Sequence, residues 1–172
     1  MKLSHGPCAS EEFMRTNIAT LLRRAYLLTG SGSAAEDLVQ DTFLRLYPQW
    51  RRVENADVPL AYVRRSLTNT YLNQKRRGVH REISVDRVPD EPVRCSIEKD
   101  VTNRDEIREL LTTLNQRQRA ALVLRFYEGF NDAEIAENLG CRTGTVRSLI
   151  SRGLATLRER MQAGSMKPGP HN

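Results

Sequence analysis

The sequence predicts an all-α chain, built as two small helical domains joined by a flexible linker. Three observations carry this. Apolar residues recur at helical rather than alternating spacing in both halves. Ser, Asn and Gly stand where helices would start and stop. Between the halves, "RGVHREISVDRVPDEPVRCSIEKD" has two prolines, mixed charge and no sustained helical period, so it reads as a tether. The expected boundaries are an N-terminal tail at 1–10, a first helical domain at 11–77, a linker at 78–100, a second helical domain at 101–161 and a tail at 162–172. A length of 172 residues suits two domains of that size.

The first helix is expected in "SEEFMRTNIATLLRRAYLLTG". Ser10 is placed to cap it, Glu11 and Glu12 suit its positive end, and Gly30 suits its exit. Ile18, Leu21, Leu22, Ala25 and Leu28 share a core face. In "SAAEDLVQDTFLRLYPQW", Ser33 and Glu36 have capping-box spacing. Ala35, Leu38, Val39, Phe43, Leu46, Tyr47 and Trp50 form the apolar stripe, with Thr42 inside it. Opposite lie Asp37, Gln40, Asp41 and Leu44. The three polar residues need only solvent, whereas an outward Leu44 raises the question of a partner.

The third helix, "PLAYVRRSLTNTYLNQKRRG", starts at a proline compatible with a first turn. Its inner stripe is Leu60, Val63, Leu67 and Tyr71. Tyr62, Arg65, Ser66, Asn69, Asn73 and Arg76 project elsewhere without a single acid among them. Charge alone would fit a solvated face; Tyr and Asn add base-stacking and base-edge chemistry.

In the second domain, Ile107, Leu110, Leu111 and Leu114 are read as one helix. Asn115 with Gln118 caps the next, whose core takes Ala121, Leu122, Leu124, the Arg125 stem and Phe126 or Tyr127. Asn131 with Glu134 caps "DAEIAENL", Gly140 makes a corner, and a basic helix follows from about Thr143. Ala136, Gly140, Val146 and Leu149 or Ile150 are spaced as in a helix-turn-helix, although a plain helical hairpin shares that spacing. Thr145, Arg147, Ser148, Ser151 and Arg152 are expected on the outer face. Arg147 is suited to guanine or phosphate and Arg152 to phosphate.

Net charge is +6, which favours a polyanionic partner. Its distribution says more. Residues 58–81 hold six Arg or Lys and no acid, residues 139–160 hold five Arg against one Glu, and residues 82–106 hold eight acids against four bases. Cys8, Cys95 and Cys141 form no CxxC pair, which argues against a disulfide scaffold or zinc finger. Cys141 reads as a packing residue, and a redox role for Cys8 or Cys95 is the weaker reading. His5 with Cys8 is too small a set for a metal. No catalytic residues, metal or cofactor are expected: His5, His80 and His171 lie in tails or linker ends, and no phosphate-cradling glycine loop is present. No membrane span or secretory signal is seen, so a cytoplasmic location is expected.

Taken in order, "AEDLVQDTFLRLY", "AYVRRSLTNTYLNQKRR", "LNQRQRAALVLRFYEGFNDAEIAENLGC" and "GTVRS" resemble bacterial RNA polymerase sigma factors of the extracytoplasmic-function group. The match runs over residues 11–160, and "RRAYLLTGSGSAAEDLVQDTF" and "SRGLATLRE" are similar to the actinobacterial SigE family. The resemblance implies sigma regions 2 and 4 without regions 1.1 or 3. It implies that Asp37, Gln40, Asp41 and Leu44 meet the clamp helices of the polymerase β′ subunit. It gives the third helix, through Tyr62, Arg65, Asn69 and Asn73, and the loop "RRVENADVP", with Asn55 as its candidate, to the −10 element, where a base is extruded during melting; Arg76 shares that helix face and is counted with them. It gives Arg147, Ser148, Ser151 and Arg152 to the −35 element, with Thr145 counted beside them from its place on the same face, and the apolar side of region 4 to the β flap. The acidic linker would follow the RNA exit path. An anti-sigma factor is a usual partner in the group. Arg142, where relatives often carry Ser or Pro, suggests that the cap shifts to Thr143; Leu149 replaces a frequent Arg. Two rivals remain: a helix-turn-helix repressor or activator working without polymerase, and an enzyme, for which no catalytic cluster is visible.

Overall fold

A computed structural model of the chain describes residues 7–77 and 101–165, and every described element is helical. The chain divides into two compact units, Met1–Ser96 and Ile97–Asn172. His5, His80, Cys95, His171, the linker, and the side chains of Cys8 and Arg76 lie outside the described residues.

The first unit contains α1 (Pro7–Thr29), α2 (Gly32–Leu46), the short α3 (Trp50–Glu54) and α4 (Pro59–Arg77). α2 packs on both α1 and α4, and α3 packs on α4. The core takes Leu21, Ala25 and Leu28 from α1, Leu38, Val39, Phe43 and Leu46 from α2, and Val63, Leu67 and Tyr71 from α4. Trp50 closes one end, edge-on to Phe13 with centroids 5.4 Å apart and stacked on Phe43 at 6.2 Å. Both arrangements suit the quadrupoles of the rings.

Four local expectations are corrected. α1 begins at Pro7, so Ser10 is a buried residue inside the helix rather than its cap. Gly30 does end α1, with φ 77°, and leaves only Ser31 extended before α2 begins. Ser31 therefore caps α2, accepting from the Ala34 amide at 3.4 Å, and the Ser33–Glu36 box does not form. Tyr47 is exposed, because α2 ends at Leu46 and a 3₁₀ turn over Tyr47–Gln49 takes over before the α-period reaches it. Within the expected loop, residues 51–54 are helical, as part of α3.

Arg24 is 1% exposed and donates through Nη2 to Thr68 Oγ1 at 2.7 Å. A buried guanidinium without acceptors is costly, so this bond fixes the approach of α1 to α4.

The second unit contains α5 (Val101–Thr112), α6 (Gln116–Leu122), a π-helical turn (Val123–Tyr127), α7 (Asp132–Leu139) and α8 (Thr143–Ser165). Both predicted capping boxes are present: Asn115 with Gln118, and Asn131 with Glu134. α5 ends before Leu114, which is nonetheless buried, while Ile107 is exposed. Neither Phe126 nor Tyr127 enters the core. The π turn widens the register, with the Glu128 amide donating to the Val123 carbonyl at 3.2 Å, and both rings swing outward. Ala121, Leu122 and Leu124 are buried as expected, and Ala120, Val123, Ile135, Leu139 and Val146 complete the core, with Arg119 also buried. α6 and α8 meet closely at Gly153, where an added methyl would stand 3.0 Å from Leu122 Cδ1.

Thr68→Val removes the hydroxyl that accepts from Arg24 Nη2 and should destabilise the first unit by about 1–3 kcal/mol, the scale of one hydrogen bond to a charged group. Urea unfolding followed by the fluorescence of Trp50, the single tryptophan of the chain, measures it. Thr68→Ser, which keeps the hydroxyl, should cost less.

Candidate functional site

Burial of the inner stripes leaves three surfaces facing solvent. On α2, Asp37, Gln40 and Leu44 are exposed and Asp41 is half-buried. Their spacing of three and four residues puts them on one face. Leu44 is 67% exposed, unusual for a leucine on a helix whose opposite side is so well packed. Asp41 pairs with Arg45 at 3.2 Å, an exposed pair one turn apart that contributes about 0.3–0.5 kcal/mol and is easily exchanged for another partner.

On α4, Arg65, Asn69 and Asn73 are exposed and Tyr62 and Ser66 half-buried, again on one face. Half-burial steadies the Tyr62 ring while leaving part of it open. Arg76 belongs to the same helix. Asn55 is exposed just past α3, its amide donating to the Arg51 carbonyl at 3.0 Å.

In the second unit, α7, its corner and α8 form a helix-turn-helix. Gly140 takes φ 59° and ψ 44°, a left-handed conformation that glycine adopts without a Cβ penalty. The Cys141 amide then donates to the Ala136 carbonyl at 3.0 Å, closing α7 in the Schellman pattern. Arg117 reaches over from α6 to donate to the Leu139 carbonyl at 3.1 Å, tying the corner to the rest of the unit. α8 starts at Thr143, and the Arg142 carbonyl accepts from the Val146 amide at 3.2 Å. The cap position therefore falls on Arg142 and not on Thr143. Cys141 is a half-buried free thiol.

Val146 and Gly153 are the buried side of α8, with Leu149 and Ile150 half-buried. Thr145, Arg147, Ser148, Ser151 and Arg152 are all exposed on the opposite arc. Arg147 is not loose: its Nε donates to Asp132 Oδ2 at 2.8 Å. Asp132 is the first residue of α7, and its other oxygen accepts from Arg125 Nη2. The hydrogen bond from Arg147 holds the Asp132 carboxyl below its ordinary value; partial burial opposes this, and the bond and charge of Arg125 reinforce it. The network lines an open hollow of about 350 Å³, together with Phe126, Ile150, Leu154 and Arg158. The Asp132 bridge was missed in the sequence. Its only trace there is one acid ahead of a helix that carries an outward arginine.

These surfaces define a helical protein equipped to meet a polyanion, with a helix-turn-helix in one unit and an acid-free polar helix in the other. Comparison with known proteins makes this specific. Residues 13–81 match the model of sigma-70 region 2, and residues 104–157 match that of sigma-70 region 4. The chain is 34% identical over 153 residues to the RNA polymerase sigma-E factor of Streptomyces coelicolor, covering 89% of this chain and 86% of that one. It is 36% identical to the ECF RNA polymerase sigma factor SigE of Mycolicibacterium smegmatis, covering 87% of this chain and 60% of that one. The sigma factor RpoE of Bartonella quintana, solved in complex with the anti-sigma factor NepR, shares the fold with a TM-score of 0.66 and 24% identity, covering 88% of this chain and 96% of that one. The chain belongs to the extracytoplasmic-function group of bacterial RNA polymerase sigma factors. Among the described residues, no helix is long and apolar enough to cross a membrane.

Asp132 gives a direct solution test of the corner. Its lowered folded value means that the bridge stabilises the fold above the ordinary carboxyl value of 3.8, and that this contribution is lost as pH falls from there through the lowered value. A carboxyl NMR titration should give Asp132 a midpoint below 3.8, and Arg147→Ala should move it upward.

Proposed function

We propose that this sigma factor docks on core RNA polymerase through the outer face of α2 and reads the promoter with both units, as a specificity subunit without catalysis of its own. In this reading a region 2 domain occupies 11–77, a linker 78–100 and a region 4 domain 101–161. The observation that carries it is Leu44: an exposed leucine flanked by Asp37, Gln40 and Asp41, on the unit that also presents the acid-free face of α4. A repressor acting alone has no use for that leucine.

The energetics are consistent with these roles. Burying Leu44 against the β′ clamp helices contributes about 1.5–3 kcal/mol, and the neighbouring polar groups set orientation more than affinity. At the −10 element, extruding a base costs a few kcal/mol. Stacking on an aromatic such as Tyr62 returns about 1–3 kcal/mol, and Arg65, Asn69, Asn73, Arg76 and Asn55 supply phosphate and base-edge contacts. At the −35 element α8 enters the major groove. Arg147 reads a base edge, while Thr145, Ser148, Ser151 and Arg152 position the helix on the backbone. The apolar side of the second unit meets the β flap. An anti-sigma factor is a further partner in this reading, as RpoE of Bartonella quintana has in its complex with NepR. The site of action is the cytoplasm, where polymerase and promoter are found.

Two substitutions test the two hands separately. Leu44→Asp should abolish co-purification with core polymerase while the circular dichroism melt stays unchanged; normal assembly would remove the clamp assignment. Arg147→Ala should weaken the −35 step by about 1–3 kcal/mol and relax base choice at one position. A loss of equal size on every sequence would make Arg147 a phosphate contact instead.

A further inference from the structure

We infer that Asp132 is a positioning residue for −35 recognition, holding the guanidinium of Arg147 so that its terminal nitrogens face outward as a pair. The inference rests on the reading of Arg147 as a base contact. The geometry carries it in three steps.

First, the Arg147 side chain is 73% exposed although it is ion-paired, and it bonds to Asp132 through Nε, 2.8 Å from Oδ2. A bond at Nε restrains the side chain while leaving the Nη1–Nη2 edge, the part that a guanine O6/N7 pair would receive, out of that bond. Second, Asp132 is itself held in place. Its other oxygen is taken by Arg125, whose side chain is partly covered where the π turn leaves α6. Its backbone sits in the first turn of α7, set by the Asn131–Glu134 capping box with bonds of 3.0 and 2.8 Å. Third, the arrangement does not repel DNA. One carboxylate lies between two guanidiniums, so the cluster keeps a net positive charge.

Exposed ion pairs contribute little to stability. The consequence of this one lies in geometry: a long, rotamer-rich side chain on the reading helix is ordered before it meets DNA. Ordering a side chain in advance removes that cost from the binding step. It also limits the poses from which Arg147 can accept a wrong base.

The test uses the full chain assembled with core polymerase, on a promoter library randomised through the −35 element. Base preference is read as relative occupancy among competing sequences, a ratio that does not change with the fraction of folded protein. Asp132→Ala should reduce discrimination roughly 2- to 12-fold, the range for ordering one such side chain. The loss should fall at the position relaxed by Arg147→Ala, and the double variant should lose no more than Arg147→Ala alone. Asp132→Asn, which keeps the volume and one acceptor oxygen, should shift preference in the same direction and carries the test if the alanine variant does not fold. If Arg147→Ala relaxes a position that both Asp132 variants still read normally, the positioning role is overturned and the reading of Arg147 stands. If Arg147→Ala itself leaves base preference unchanged, the reading of Arg147 fails, and the role of Asp132 fails with it.

Discussion

In both units, burial of one stripe along a helix decides which side chains are left to act. On α8 that stripe runs through Val146 and Gly153, and α6 lies so close at Gly153 that a methyl would press on Leu122. A rotation of α8 would bring a larger side chain into that gap, so the helix has one orientation. Thr145, Arg147, Ser148, Ser151 and Arg152 then face away from the core by necessity. Leu38, Val39 and Phe43 do the same for α2, leaving Leu44 and its polar neighbours outward.

The helix-turn-helix adds a second constraint, at the corner. Gly140 in its left-handed conformation turns the chain, the Schellman bonds satisfy the end of α7, and Arg117 anchors the Leu139 carbonyl to α6. None of these touches a ligand in the proposed mechanism. Together they set the angle at which α8 is offered. The bridge from Arg125 through Asp132 to Arg147 extends that order from backbone to side chain.

What was legible in the sequence was local. The Asn115 and Asn131 caps, the Gly30 and Gly140 exits, and the outer faces of α2, α4 and α8 depend on residues within about two turns of one another, and each followed from spacing. What was not legible depends on contacts across the chain. Arg24 meets Thr68 at a separation of 44 residues, and Asp132 meets Arg147 at a separation of 15. No periodicity marks such pairs. The misplacement of Tyr47, Phe126 and Tyr127 has a second cause: the α-period fails where a 3₁₀ or π turn intervenes. For the candidate site, the faces came from the pattern, whereas the assignment of polymerase and promoter elements came with the family resemblance.

The central claim is that the two units act together, through polymerase, to open a promoter. Permanganate footprinting of a promoter fragment, with this protein alone, core enzyme alone and the two combined, tests it most directly. The account predicts reactive thymines at the −10 element only when both are present. Tight protection of duplex DNA by the protein alone, with no melting when core enzyme is added, would contradict it.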